Sequence, residues 1–223
     1  ELRPLNVLIG PNGSGKSNLL TVIQMLSALP SDLFQAMKGS GFITDWTWRG
    51  STSTESLLSV ETRSPLLDGT FHHDFEIDLQ SFYQSFSREI IHHRDSNGAM
   101  TKVAHVEQGV VHTPIQKTGF LAERGARPEA WRYDVQKSAL SQLADLGSHI
   151  WRLAWTYERM RCYMSWQFGP RTSIRAPQPT DGNGEILNDD FSNLALFLSR
   201  IEKSASAKRK LLDHFRLVFE GVE

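Results

Sequence analysis

A single cysteine, Cys162, is all that the 223 residues contain. That excludes an internal disulfide, suits a reducing compartment, and leaves the thiol as a core filler rather than a nucleophile. No apolar run reaches the length needed to span a bilayer and no signal peptide is visible, so no membrane partner is expected and the cytoplasm is the expected location. Charge of either sign is not in excess. The 24 Lys and Arg nearly cancel the 25 Asp and Glu, for a net charge of −1. No global basic field therefore argues for nucleic acid, although a local patch stays open. The sequence opens at Glu1 without a methionine, which predicts further sequence upstream.

What is present is concentrated near the start. Residues 5–20 read LNVLIGPNGSGKSNLL, and Gly10, Gly15, Lys16 and Ser17 satisfy the phosphate-binding pattern G-x-x-x-x-G-K-[ST]. Val7, Leu8 and Ile9 form a short apolar run that predicts a buried strand. Beyond the glycines, Leu19, Leu20, Val22, Ile23 and Leu26 recur at helical spacing until Pro30. Strand, glycine-rich loop and helix is the arrangement that aims backbone N–H groups and a helix N-terminus at one anion. Gly10, Gly13 and Gly15 let the backbone approach phosphate oxygens without an intervening Cβ. The nucleotide-binding residues expected are Gly10, Pro11, Asn12, Gly13, Ser14, Gly15, Lys16, Ser17 and Asn18. Lys16 would face the β- and γ-phosphates as a point charge, and the Ser17 hydroxyl is placed to ligate Mg²⁺.

Further on, Ser31 or Asp32 can cap a short helix, SDLFQAMK, that Gly39 and Gly41 would stop. Trp46 and Trp48 would share one strand face, as buried anchors or as a stacking platform. From residue 56 to about residue 111 the apolar period becomes two. Candidate strands are SLLSVET, FHHDFEIDL, FSREIIHHR and KVAHVEQ, divided by Pro65, Asp68–Gly69 and Asn97–Gly98. Short turns between consecutive strands imply an antiparallel sheet. Neighbouring His72–His73 and His92–His93 point to opposite faces, so neither pair chelates through both rings, and ordinary sheet-surface residues are expected.

Residues 113–132 are loop-like, and 135–161 largely helical, with Ile150, Leu153, Ala154 and Tyr157 on one face. Trp151 and Trp155, spaced i,i+4, suggest core packing. Residues 160–168 could return as a strand, and 170–190 form a turn-rich exposed loop. Two helices then close the sequence. The first buries Leu194, Phe197, Leu198 and Ile201; the second buries Leu211, Leu212, Phe215, Val218 and Phe219. Lys208, Arg209 and Lys210 at its start read as a solvated face.

The segment PLNVLIGPNGSGKSNLL resembles the Walker A region of ABC-type ATPases of the RecF/SMC-like kind, where Asn18 after GKS is typical. YMSWQFGPRTSIRAPQP, ILNDDFSNLALFLSRI and KRKLLDHFRLVFEGVE are similar to bacterial ATPases related to RecF and to the OLD-like defence and repair proteins, and DWTWRG fits that group too. The resemblance implies an α/β fold: a P-loop NTPase, ABC-ATPase-like, with an antiparallel β subdomain followed by helices. Residues 1–223 would be the N-terminal part of one ATPase domain, with strand, loop and helix at 1–30, the β subdomain at 43–112 and a mainly helical part at 133–223.

The same resemblance implies ATP and Mg²⁺ as cofactors, a homodimer sandwiching ATP in the full-length protein, and work coupled to DNA repair or phage defence, with DNA a candidate partner. Lys16 and Gln142 are the candidate catalytic residues, Gln142 as the glutamine that senses the γ-phosphate or else as a surface residue of a helix. No run of four apolar residues is followed by Asp-Glu, and no serine-containing signature or switch histidine is found, so the chain alone is expected to be inactive. Two other classes compete. A GTPase would need N-K-x-D, which is absent, and a small-molecule kinase would continue with a βα repeat and a lid. A nucleotide-gated interaction module without turnover is the non-enzymatic alternative.

Overall fold

The computed structural model describes residues 6–40, 53–63, 67–79, 83–112, 133–143, 148–163, 169–177, 182 and 184–219. Trp46, Trp48 and the loop at 113–132 lie outside these residues. The chain forms two compact units, one over Glu1–Met160 and one over Arg161–Glu223.

The first unit holds helices α1 (Lys16–Ala28) and α2 (Leu33–Ser40), then strands β1 (Glu55–Arg63), β2 (Thr70–Leu79), β3 (Gln84–Arg94), β4 (Met100–Glu107) and β5 (Val110–Val111). Helices α3 (Ala139–Leu143) and α4 (Ser148–Glu158) follow. Asp32 caps α2 by accepting from Gln35 N at 2.9 Å, and the helix runs through Gly39 rather than stopping there. The strands pair antiparallel in the order β1-β2-β3-β4-β5, as the period-two alternation predicts. At the β3–β4 turn Asp95 Oδ1 accepts from Asn97 N and Ala99 N, which closes the Asn97–Gly98 hairpin.

One face of the sheet is the core. Phe71, His73, Phe75, Ile77 and Leu79 are buried along β2, and the intervening residues are half-exposed. Along β3 the buried parity changes from Gln84 and Phe86 to Glu89, Ile91 and His93. The cause is a bulge: Glu76 pairs with Arg88 and Ile77 with Phe86, so Ser87 has no opposite number. α1 contributes Met25, Leu26 and Ala28, α2 Leu33, Phe34 and Met37, and α4 Ile150, Leu153, Ala154 and Tyr157 to the same core cluster. The four α4 residues are those that helical spacing predicts.

The alternation at the histidine pairs holds, but one member of each is not a surface residue. His73 is fully enclosed and His93 nearly so, because the inner parity of β2 and β3 falls on them. Trp151 and Trp155, expected in the core, lie on the other side of α4; Trp151 is 51% exposed. Four apolar residues already face inward, and the tryptophans sit a third of a turn away from them.

The second unit contains a short 3-10 helix (Ser173–Arg175) and helices α5 (Leu194–Glu202) and α6 (Ala205–Arg216). Residues 161–163 form no strand. Ser204 caps α6, its side chain accepting from Ala207 N. Both helices form as expected, but neither has a buried residue. Leu198, Phe215, Val218 and Phe219, expected inside, are exposed. Two amphipathic helices cover only part of each other, and among the described residues of this unit no third layer lies over them. Cys162 is partly enclosed, and burial followed by the nearby Asp189 carboxylate pushes its thiol up, which disfavours the nucleophilic thiolate. No helix among the described residues is long and apolar enough to cross a membrane.

Candidate functional site

The structure gathers residues 10–15 into one surface turn that feeds directly into α1, whose first turn carries Lys16, Ser17 and Asn18. Gly13 and Gly15 both adopt the left-handed conformation, at φ 81° and φ 85°, where a side chain would be strained. Gly15 is the N-cap of α1 and makes no side-chain cap hydrogen bond, and no acidic residue occupies the first turn. The N–H groups that begin a helix are thus left to an external acceptor, and the helix dipole favours an anion there. Ser14 N donates to Pro11 O at 3.3 Å, tightening the loop, and Leu19 N donates to Gly15 O at 3.1 Å as the helix starts.

Lys16 folds back over this loop. Its Nζ donates to Gly10 O and Pro11 O, each at 2.7 Å, and to Ser14 Oγ at 3.3 Å. An ammonium has three protons, and all three are directed at the loop. The charge is therefore held at the mouth of the turn, where a phosphate oxygen can replace one of these acceptors. Ser17 follows, exposed on the first turn, and its backbone carbonyl accepts from Thr21 Oγ1 at 2.9 Å. Donor set and shape fit a nucleotide phosphate chain with Mg²⁺: backbone N–H groups, one cation and one hydroxyl.

The strand expected before the loop is not formed. Residues 6–10 have no regular structure, and Val7, Leu8 and Ile9 are 73%, 45% and 91% exposed. A strand needs a hydrogen-bonding neighbour, and the five described strands pair only with one another in chain order. Along α1 the consequence is graded. Leu19 and Leu20 near the loop are exposed, whereas Met25, Leu26 and Ala28 are buried. The far end of the helix anchors the site to the core, and the near end presents it to solvent.

Gln142 lies on α3. Its Oε1 accepts from Asp134 N at 2.9 Å, and its Nε2 donates to Asp134 O and Lys137 O, both at 3.0 Å. The side chain clasps the turn that precedes its own helix, and no hydrogen bond among the described residues joins it to residues 10–18. Among the described residues no group of three or more His, Cys, Asp or Glu is arranged to hold a metal.

Sequence reasoning missed the buried polar cluster beneath α3 and α4. Glu89, fully enclosed, accepts from His73 Nε2 at 3.0 Å, Ser138 Oγ at 2.6 Å and Ala139 N at 2.7 Å. The Tyr157 hydroxyl lies 3.2 Å from Thr62 Oγ1 and 3.4 Å from His73 Nδ1. Burial pushes the Tyr157 phenol far above its ordinary range, so it keeps its proton. Only the bulge in β3, which turns Glu89 inward, creates this cluster, and no residue pattern announces that bulge.

Neither curated proteins nor solved structures provide a match to this chain. One family does, over residues 5–219, and its description is AAA domain, putative AbiEii toxin, Type IV TA system. The glycine-rich turn, its lysine and the helix behind it are what a nucleotide-binding ATPase of that kind requires, and the match runs through nearly the whole sequence: the chain belongs to this AAA-domain family of P-loop ATPases.

Proposed function

We propose that the chain is the nucleotide-binding part of an ABC-type ATPase of the RecF/SMC-like branch, that it binds ATP with Mg²⁺, and that the full-length protein hydrolyses it in the cytoplasm. One observation carries the proposal: two left-handed glycines place the start of α1 and the Lys16 ammonium at a single exposed point. Phosphoryl transfer asks mainly for positioning and charge neutralisation. The N–H groups of residues 12–17 would orient the phosphate chain. Lys16 would exchange a loop carbonyl for a phosphate oxygen, and Ser17 and Asn18 would complete the rim. Mg²⁺, held through Ser17, would supply the second positive charge. Gln142 takes part in this proposal only by releasing its clasp on residues 134–137.

The partners proposed are a second copy, closing over ATP in the full-length protein, and DNA, with repair or phage defence as the process served. No run of four apolar residues followed by Asp-Glu occurs in the sequence, and that favours a second reading for the chain by itself, a nucleotide-gated module with negligible turnover.

The test is thermal. Mg·ATP at about one hundred times Kd stabilises a binding-competent fold by about 2.7 kcal/mol, a rise in melting midpoint of roughly 5–10 °C for a domain of this size. Lys16→Ala should abolish most of that rise while leaving the unliganded midpoint nearly unchanged, since its three bonds are on the surface. Phosphate release by the chain should not exceed that of Lys16→Ala. Equal ATP shifts in both proteins would reduce the loop to a glycine-rich turn.

A further inference from the structure

The outer face of α4 carries an aromatic stack that no part of the nucleotide site uses. Trp151 and Trp155 stack at a centroid separation of 6.2 Å and an interplanar angle of 25°. The Arg159 guanidinium carbon lies 4.5 Å over the Trp155 ring. The three residues are spaced i, i+4 and i+8, so the tryptophans rise along the helix and Arg159, just past its end, continues the ladder. Trp155 is held between a ring and a cation, whereas Trp151, at the free end, is 51% exposed. About a third of a turn away, Ile150, Leu153, Ala154 and Tyr157 are locked in the core, which fixes the helix and hence the plane of the ladder.

We infer that this ladder is a stacking platform for single-stranded nucleic acid, in which an unpaired base extends the stack on Trp151 and Arg152 and Arg159 meet the adjoining phosphates. Two features select this partner. The first is shape: among the large apolar residues exposed in the structure, Trp151 is the one on α4. A protein partner anchored by tryptophan needs an apolar surround that excludes water. A nucleobase needs only a flat π-face, which every base can use. The second is charge. Arg159 lies over the Trp155 ring and Arg152 follows Trp151 in the chain, Glu158 is the one acid on this helix, and among the described residues no carboxylate pairs with either arginine. The rings are also pre-stacked, so little side-chain freedom is lost on binding. Duplex DNA keeps its bases stacked inside and offers the platform nothing beyond its phosphates.

None of the three ladder residues belongs to the nucleotide site, and the test separates the two. Fluorescence anisotropy of labelled oligothymidylate and oligouridylate, and of a duplex of equal length, would be measured with the full chain at about 50 mM salt, where phosphate contacts are strongest. Single strands of either sugar should bind, and the duplex more weakly. Trp151→Ala should lower affinity roughly tenfold, Trp151→Phe should retain most of it, and Arg159→Gln should lower the dependence of log Kd on log salt by about one. Lys16→Ala should bind the oligonucleotide as the unaltered chain does, whatever becomes of its ATP response. Trp151 is half exposed, so its variants should keep their far-ultraviolet dichroism and melting midpoint, which shows the fold intact. No binding at low salt, equal affinity of Trp151→Ala, or a duplex bound as tightly as a single strand would each overturn the inference. So would a Trp151→Ala variant whose only change is loss of self-association in light scattering.

Discussion

Glu89 is the residue on which most of the interior polar bonding converges. Donors from His73, Ser138 and Ala139 end on its carboxyl group in a place without solvent. Each donor left without an acceptor in such a site costs about 1–3 kcal/mol. Glu89→Ala should therefore destabilise the first unit by about 3 kcal/mol or more, read as a lower urea midpoint with an unchanged m-value. A loss below about 1 kcal/mol would mean that water enters and satisfies the orphaned donors. The bonds also explain why α3, only five residues long, is fixed at all. Its first N–H is held by Glu89, and the Ser138 hydroxyl that donates to Glu89 also accepts from Leu140 N at 3.0 Å.

Among the elements, those whose neighbours are close in sequence were legible and those that depend on distant cover were not. Period-two alternation predicted four strands correctly because consecutive strands pair with each other, so the pattern and its partner lie in one stretch. The inner face of α4 was legible for a similar reason: four apolar residues at helical spacing met a sheet that the same sequence had just formed. At the P-loop, the motif itself fixes the turn, and the φ angles of Gly13 and Gly15 agree with it. The run Val7, Leu8, Ile9 and the faces of α5 and α6 failed differently. Apolar periodicity tells which face is oily, not whether anything lies over it. This distinction is measurable. Leu153→Ala, at a fully enclosed position, should cost about 2–5 kcal/mol, whereas Phe219→Ser, at 55% exposure, should stay within about 0.5 kcal/mol. A large loss at Phe219 would show that this surface is covered in solution.

The molecule as a whole should be sensitive to mild acid. His92, His105 and His149 each have a pKa lowered from 6.5, in every case chiefly because partial burial disfavours the cation, with Lys102 or His93 as the next contributor. The unfolded chain then binds more protons than the folded one just below that value, so stability rises with pH through this window. It is fully present above about pH 6.5 and is lost progressively as pH falls. The melting midpoint should drop between about pH 7 and pH 5, before carboxylates such as Asp190, whose own pKa is lowered by its bonds to Ser192, begin to matter. A triple substitution of these histidines by asparagine should flatten that slope, and an unchanged slope would place the effect elsewhere. The consecutive order of the sheet has a kinetic corollary. Every strand joins the one just made, so each new pairing closes only a short loop, and the entropy of bringing its ends together is small. The hairpins can assemble in chain order as they emerge, ahead of any contact with α3 and α4, which must wait for the residues beyond position 133. The contacts that seal Glu89 away from water, from Ser138 and Ala139, close longer loops than any pairing within the sheet.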